Sequence, residues 1–168
     1  MRNFRFCRCR FVGIVLALIL FGALGVTNAT ADTVAFTPTG GLSEAAPPPA
    51  VDLGNVFTAN VNFSVDALGF YFQSDLTGPE TVGLYNSSGA LLTSATVSLT
   101  DPVVDGYLFQ SITPVALTAG DQYTVVAFIG RNSWSYGYTP PNQASQVTYN
   151  SHDYNVTSSL QFPRLWVE

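Results

Sequence analysis

The sequence predicts an all-β fold, an antiparallel β-sandwich of jelly-roll or immunoglobulin-like type with about eight or nine strands. Its apolar residues are mainly Val, Phe, Tyr and Leu, and they alternate with Thr and Ser as in half-buried strands. Gly, Asn and Pro interrupt these runs at short intervals, as turns between strands do. No stretch after residue 31 has the period of an amphipathic helix.

Residues 1–31 have the pattern of a secretory signal peptide. Four arginines precede an uncharged run from Phe11 to Val26, and Ala29 and Ala31 form an A-x-A cleavage site. The run is shorter than the roughly 18 residues that a membrane-spanning helix needs. We therefore expect export with cleavage after Ala31; an uncleaved membrane anchor is the alternative.

The mature chain is expected to begin with a strand and a proline-rich linker over residues 32–54. Residues 38–50, "PTGGLSEAAPPPA", have no apolar period, and three consecutive prolines favour an extended, exposed loop. The β-sandwich domain is then expected over residues 55–168. A chain of this length corresponds to one domain and can bury its own hydrophobic core.

The first strands are predicted at Asn55–Ala59 and Phe63–Gln73, before the break "SDLTGPE". A β-hairpin follows in "TVGLYNSSGALLTSATV". Its turn is Asn86–Gly89, because Asn and Gly tolerate the positive φ of tight turns. Leu91, Thr93, Ala95 and Val97 share one side of the returning strand.

Four further strands complete the predicted sandwich. The first, "YLFQSI", follows the turn cluster "TDPVVDG". The next, "QYTVVAFIG" at 122–130, is apolar on both faces, as a central strand is. The last two are "SQVTY" at 145–149 and "LQFPRLWV" at 160–167, where Pro163 marks an edge strand or bulge.

Charge and cysteine content exclude several partners. Only Arg131 and Arg164 are positive beyond residue 31, against 11 acidic residues. Such a surface repels phosphate backbones and anionic headgroups, so we expect no nucleic-acid partner and no membrane contact beyond the signal peptide. Both cysteines lie in the signal peptide, which excludes disulfides and cysteine-type zinc sites from the domain. The acidic composition also predicts that stability and solubility fall as pH drops toward the carboxylate range.

The sequence favours a protein without catalytic activity. His152 is the single histidine, and no nucleophile elbow, zinc-protease motif or phosphate loop is present. A Ser-His-Asp triad built on His152, or a pair of carboxylates for glycoside hydrolysis, stays open on composition alone. The acids fall mainly at turns, however, where Asp is ordinary.

Calcium is the one candidate cofactor. "TDPVVDG" places Asp101 and Asp105 in one loop, and loop carboxylates are the oxygen ligands that Ca²⁺ prefers. The spacing matches no established calcium motif, so a solvated turn without metal is the alternative interpretation.

The candidate ligand-binding segment is "RNSWSYGYTPPNQ", residues 131–143, which we call the aromatic segment. Trp134, Tyr136 and Tyr138 alternate with small residues, so an extended backbone would project the three rings from one side. Arg131 and Asn132 supply polar groups beside them. Rings that cover apolar sugar faces, with amides that meet hydroxyls, make a carbohydrate platform. Packing of the same rings in a core is the structural alternative.

Three stretches carry a family resemblance: "LGFYFQ", "ETVGLYNSSGALLTSATVSL" and "GYLFQSITPVALTAGDQYTVVAFIG". Together they resemble an uncharacterised domain of secreted bacterial proteins, often found in exported proteins sorted by a Pro-Glu-Pro C-terminal tail. The resemblance covers about Asn55 to Gly130 and implies an extracellular β-sandwich, with no catalytic residue. The end of this sequence, "FPRLWVE", departs from the family's sorting tail.

Two functions follow as expectations. The first is a non-catalytic extracellular module that binds a glycan or cell-surface polymer through the aromatic segment. The second is a structural or adhesive component of the cell envelope or biofilm matrix. The sequence does not fix the oligomeric state or the identity of the ligand.

Overall fold

Two antiparallel β-sheets face each other across an apolar core. The structure, a computed structural model, describes residues 33–37, 39, 43–45, 50–72, 76–130, 134–136 and 141–163, with 43–45 and 134–136 described by their backbone. Its strands are β1 (Phe36–Thr37), β2 (Ser43–Ala45), β3 (Val51–Ala59), β4 (Phe63–Tyr71), β5 (Glu80–Asn86), β6 (Leu91–Val97), β7 (Val103–Val104), β8 (Tyr107–Leu117), β9 (Gln122–Ile129), β10 (Trp134–Tyr136), β11 (Asn142–Gln143) and β12 (Val147–Val156).

The larger sheet has five strands in the order β12-β3-β9-β5-β6, and the smaller has three in the order β4-β8-β7. Every pairing is antiparallel. Two short ladders, β1 with β11 and β2 with β10, accompany them. The predicted β-sandwich is therefore confirmed, with twelve strands among the described residues, five of them only two or three residues long.

The core lies between the facing sides of the two sheets. Large buried side chains come from both sheets: Phe57, Val82, Leu84 and Ile129 from the larger, and Leu68, Phe70, Leu108 and Leu117 from the smaller. Beside the smaller sheet, β1 contributes Phe36, whose ring centroid is 5.6 Å from that of Phe57 and 6.3 Å from that of Tyr149. Phe36 thus helps to cover β3 and β12.

The apolar pattern of β9 identified the centre of the larger sheet correctly. Its odd-numbered residues, such as Tyr123 and Ile129, belong to the core. Its even-numbered residues lie on the opposite, outer face, where Val126 is fully buried and Thr124 nearly so. A sheet whose central strand is buried on both faces needs a second covering layer on its outer side.

The predicted hairpin is formed by β5 and β6. Asn86 caps its turn: its Oδ1 accepts hydrogen bonds from the Ser88 N–H at 3.1 Å, the Ser88 hydroxyl at 2.7 Å and the Ala90 N–H at 2.9 Å. Gly89 has a φ of 79°, a region that favours glycine. The Asn-Ser-Ser-Gly break therefore specifies the turn through one side chain and one backbone conformation.

The last predicted strand is the clearest error in the sequence analysis. Residues 160–163 form no strand, and 164–167 lie outside the described residues. Residues 158–163, which we call the strap, instead lie on the outer face of the larger sheet. Leu160 approaches Gly83, Pro163 approaches Gly54, and the Phe162 ring packs on Tyr85 with centroids 5.7 Å apart.

The outer face has a furrow of small residues that receives the strap. Gly54 and Gly83 pair with Val126 from its two sides. A Cβ atom on Gly54 would lie 2.9 Å from Pro163 Cγ, and one on Gly83 would lie 2.8 Å from Leu160 Cδ2. Gly89 lies under the Phe162 ring, and a Cβ atom on Gly89 would lie 3.2 Å from Cδ1 of that ring. The strap is thus the second covering layer.

Strand bounds differ from the predictions at several further places. "YLFQSI" is the start of a strand that runs to Leu117, and β2 lies within the predicted loop 38–50. The strand predicted to begin at Asn55 begins at Val51, and "SQVTY" is the start of a longer strand that runs from Val147 to Val156. The latter has an irregularity between Tyr149 and Ser151. At this bulge the alternation shifts by one residue, so the other set of alternate side chains faces the core beyond it. The shift breaks the sequence pattern, and the second half of β12 was therefore not predicted. Among the described residues, no helix is long and apolar enough to cross a membrane.

Replacing Asn86 by Ala should lower the free energy of unfolding by about 1–2 kcal/mol, because three hydrogen bonds to Oδ1 are lost. Chemical denaturation of the mature chain measures this. Ser87→Ala, one residue along the same exposed turn, is the control and should stay within about 0.5 kcal/mol of the parent. Equal effects of the two substitutions would contradict the capping role of Asn86.

Candidate functional site

The aromatic segment lies beyond the end of the β3–β9 pair. In sequence, β2 precedes β3 and β10 follows β9, and β2 pairs with β10 in the register Trp134 to Ala45 and Tyr136 to Ser43. Val51 pairs with Ile129 where the β3–β9 ladder ends. The β2–β10 ladder is a separate two-stranded sheet, and along the chain its strands lie within a few residues of the start of β3 and the end of β9. Chain proximity therefore places this ladder near the end of the sandwich where β3 begins.

The structure describes the backbone of three residues in the middle of this segment. Trp134 to Tyr136 is a strand, as an alternating platform requires. Arg131, Asn132 and Tyr138 lie outside the described residues. The common projection and the exposure of the rings stay predictions.

Asp101 and Asp105, the candidate calcium ligands, have separate roles in their turns. Asp101 Oδ2 accepts a hydrogen bond of 2.7 Å from the Ser98 N–H, which caps the turn after β6. Asp105 has a φ of 49° and is followed by Gly106 at 85°, the backbone of a tight β7–β8 hairpin turn. Among the described residues, no three His, Cys, Asp or Glu side chains are grouped as a metal site.

His152 lies on the exposed strand β12. Its Nδ1 is 2.9 Å from the Tyr149 hydroxyl oxygen, and the partner of a catalytic imidazole would instead be a serine or a carboxylate. Its charge also acts on neighbouring Asp153, whose pKa is nevertheless raised because burial outweighs the attraction of His152. This contact gives His152 an ordinary structural partner.

A buried acid, Asp52, is the feature that the sequence analysis missed. It lies on the outer face of β3 and is 0% exposed. Oδ2 accepts a hydrogen bond of 2.9 Å from the Gln161 N–H of the strap, and Oδ1 has no hydrogen-bond partner among the described residues. Burial raises its pKa to about 6, although the Gln161 hydrogen bond acts in the opposite direction. In the sequence, "VDLGN" gives no sign of this, because a single Asp on a strand usually faces solvent.

A second aromatic cluster lies on the smaller sheet. The rings of Tyr71 and Tyr107 meet edge to face with centroids 5.3 Å apart, and Phe109 lies 5.8 Å from Tyr107. Burial raises the pKa of Tyr107 to about 12, with a smaller contribution from Tyr71. Phe109 lies directly over Gly69, where a Cβ atom would collide with Cε1 of the ring. Rings packed edge to face and desolvated serve packing better than they serve as a flat platform.

An apolar cavity of about 130 Å³ lies between β1, β3 and β4. Its walls include core side chains such as Phe36, Phe57 and Leu68. Asn55 and Tyr107 are the polar side chains among its lining residues. The cavity therefore continues the core at the place where β1 covers the larger sheet.

Comparison with known proteins gives one match. The family described as "Domain of unknown function (DUF4082)" matches residues 36–167, which is most of the chain. The chain belongs to the DUF4082 family. No curated protein and no solved structure matches it.

Family membership confirms the expected resemblance at the level of a domain of unknown function. The DUF4082 match begins at Phe36, the first buried residue of the described core, and it includes the strap. Within this DUF4082 domain, Gly83, Tyr85 and Gly89 of the hairpin contact the strap. The hairpin stretch therefore has a packing role in addition to forming a turn.

For the DUF4082 domain we expect Asp101→Ala to lower the thermal midpoint equally in EDTA and in excess calcium. The physical reason is that Asp101 Oδ2 caps the Ser98 N–H whether or not a cation is present. Asp105→Asn is the control, because Asn also tolerates positive φ. A midpoint that rises with calcium in the parent but not in Asp101→Ala would instead establish a calcium site.

Proposed function

We propose that this DUF4082 chain is an exported, non-catalytic module that binds a glycan or cell-surface polymer through its aromatic segment. Residues 1–31 act as a cleaved signal peptide, and Trp134, Tyr136 and Tyr138 contact the sugar rings. Arg131 and Asn132 bond to sugar hydroxyls. The protein works outside the cytoplasm, in the secreted or cell-envelope fraction of a bacterium.

The position of β10 is the observation that supports this proposal. Trp134 and Tyr136 lie on a three-residue strand paired with β2, close along the chain to one end of the larger sheet. Short strands and loops at the end of a rigid sandwich are where such folds usually bind ligands. An extended backbone at this point is also what alternating rings need to face one direction.

A structural or adhesive role is the second candidate, and the sheet edges support it. Strand β6 forms one edge of the larger sheet, with Leu91 50% exposed beside Leu92. Strand β7 forms an edge of the smaller sheet, with Val103 56% exposed beside Val104. Apolar side chains on edge strands favour association with further strands.

Carbohydrate binding is tested with the mature chain, residues 32–168, on a glycan array and then by calorimetry with the best polysaccharide. Trp134→Ala and Tyr136→Ala should each weaken binding at least about tenfold, a loss of roughly 1.4 kcal/mol. The contact between a ring and an apolar sugar face is the reason. Ser135→Ala, between them on the same strand, is the matched control and should bind as the parent does.

Sedimentation velocity over a range of concentrations separates the two candidates. Concentration-dependent oligomers that disappear in Leu91→Ser and Leu92→Ser, without affinity for any glycan, would establish the structural role. A monomer with unchanged glycan affinity in Trp134→Ala and Tyr136→Ala would refute the proposed site. Near-ultraviolet circular dichroism of each variant verifies that the fold is retained.

A further inference from the structure

The strap is attached to the sheet by few interactions. Leu160, Phe162 and Pro163 supply its apolar contacts, with Gly83, Tyr85 and Gly54 beneath them. Its one hydrogen bond to the sheet among the described residues joins the Gln161 N–H to Asp52 Oδ2. A segment held by these contacts can leave the sheet at a smaller free-energy cost than unfolding of the sandwich, although its release exposes Val126.

Asp52 is buried under this segment with half of its carboxyl group unpaired. The side chain is fully buried, and within the described part of the chain Oδ1 has no hydrogen-bond partner. Its cross-strand neighbours are Phe128 on β9 and Asn155 on β12. A neutral carboxyl group tolerates this environment, whereas an ionised one needs water or a cation at its second oxygen.

We propose that the strap is a pH-operated latch: protonated Asp52 keeps it on the outer face, and ionisation of Asp52 releases it. Release hydrates the carboxylate and uncovers the furrow formed by Gly54, Val126 and Gly83. The residues that form the latch lie on the outer face of β3, β5 and β9 and include none of the aromatic segment.

Among the described residues, the groups around Asp52 supply no positive charge to compensate its own. Tyr85 on β5 faces the same side. Burial raises the pKa of its hydroxyl, and repulsion by Asp52 adds to this effect. Asp153 on β12 is the nearest acid on that face by register, opposite Gly54. From β9, the residues on this face are Thr124, Val126 and Phe128, none of them titratable. Both arginines of the domain, Arg131 and Arg164, lie outside the described residues.

The direction of the effect follows from the raised pKa. Asp52 titrates near 6 under the strap and at its ordinary value of 3.8 once hydrated. The docked strap is therefore most stable below that ordinary value, and docking is lost as pH rises through about 6. The docking equilibrium should weaken by up to about tenfold per pH unit between these values and level off above them. This dependence is opposite in sign to the one expected from the acidic composition as a whole.

Hydrogen–deuterium exchange of the full mature chain tests the latch, read by mass spectrometry on peptides that contain residues 157–163. After correction for the intrinsic pH dependence of exchange, protection of the strap should fall at least about tenfold between pH 4 and pH 7. Peptides from β9 report the sheet itself and should keep their protection. A strap whose protection is the same at both pH values would overturn the proposal.

Three variants identify the titrating group. Asp52→Asn keeps an oxygen for the Gln161 N–H and cannot ionise, so strap protection should no longer depend on pH, whatever its absolute level. Asp153→Asn, on the same face, should keep the full dependence. Phe162→Ala should weaken docking at every pH and still show the dependence. Persistence of the pH effect in Asp52→Asn, or its loss in Asp153→Asn, would assign it to another group and refute the latch.

Discussion

Burial of β9 on both faces is the constraint on which the rest of this structure depends. One face packs against the smaller sheet through the core that contains Tyr123 and Ile129. The other face buries Val126 completely, and no second sheet covers it among the described residues. The chain supplies the missing layer from its own strap. A six-residue segment suffices because Gly54 and Gly83 make the sheet surface low on both sides of Val126.

The sequence predicted those parts of the fold that depend on local chemistry. Asn86 and Gly89 specify their turn by hydrogen bonding and φ, so the hairpin was recognisable without any tertiary information. The two-sided apolar pattern of 122–130 likewise located the central strand. Both signals lie within a few residues of the structure that they produce, and long-range packing adds nothing that could reverse them.

The strap was not predictable in the same way, because its partner is more than 70 residues away. Leu160 and Phe162 alternate with polar residues as a strand would, and Pro163 fitted an edge strand. What decides the outcome is the outer face of β5, where Gly83 leaves space and Tyr85 offers a ring. A glycine within a strand signals a close approach by something, but the sequence does not name the partner. The same reason hid Asp52, whose carboxyl group accepts a hydrogen bond from Gln161, 109 residues away in sequence.

Packing within the fold explains some of these residues and leaves others unexplained. Gly83, Tyr85 and Gly89 are explained by the strap and the turn, so their presence in a family motif needs no ligand. Asp52 is different, because an apolar side chain would cover β3 without leaving an unpaired oxygen in the interior. A residue that packing does not require is one through which a domain can acquire function, and Asp52, an ionisable group beneath the strap, is such a residue.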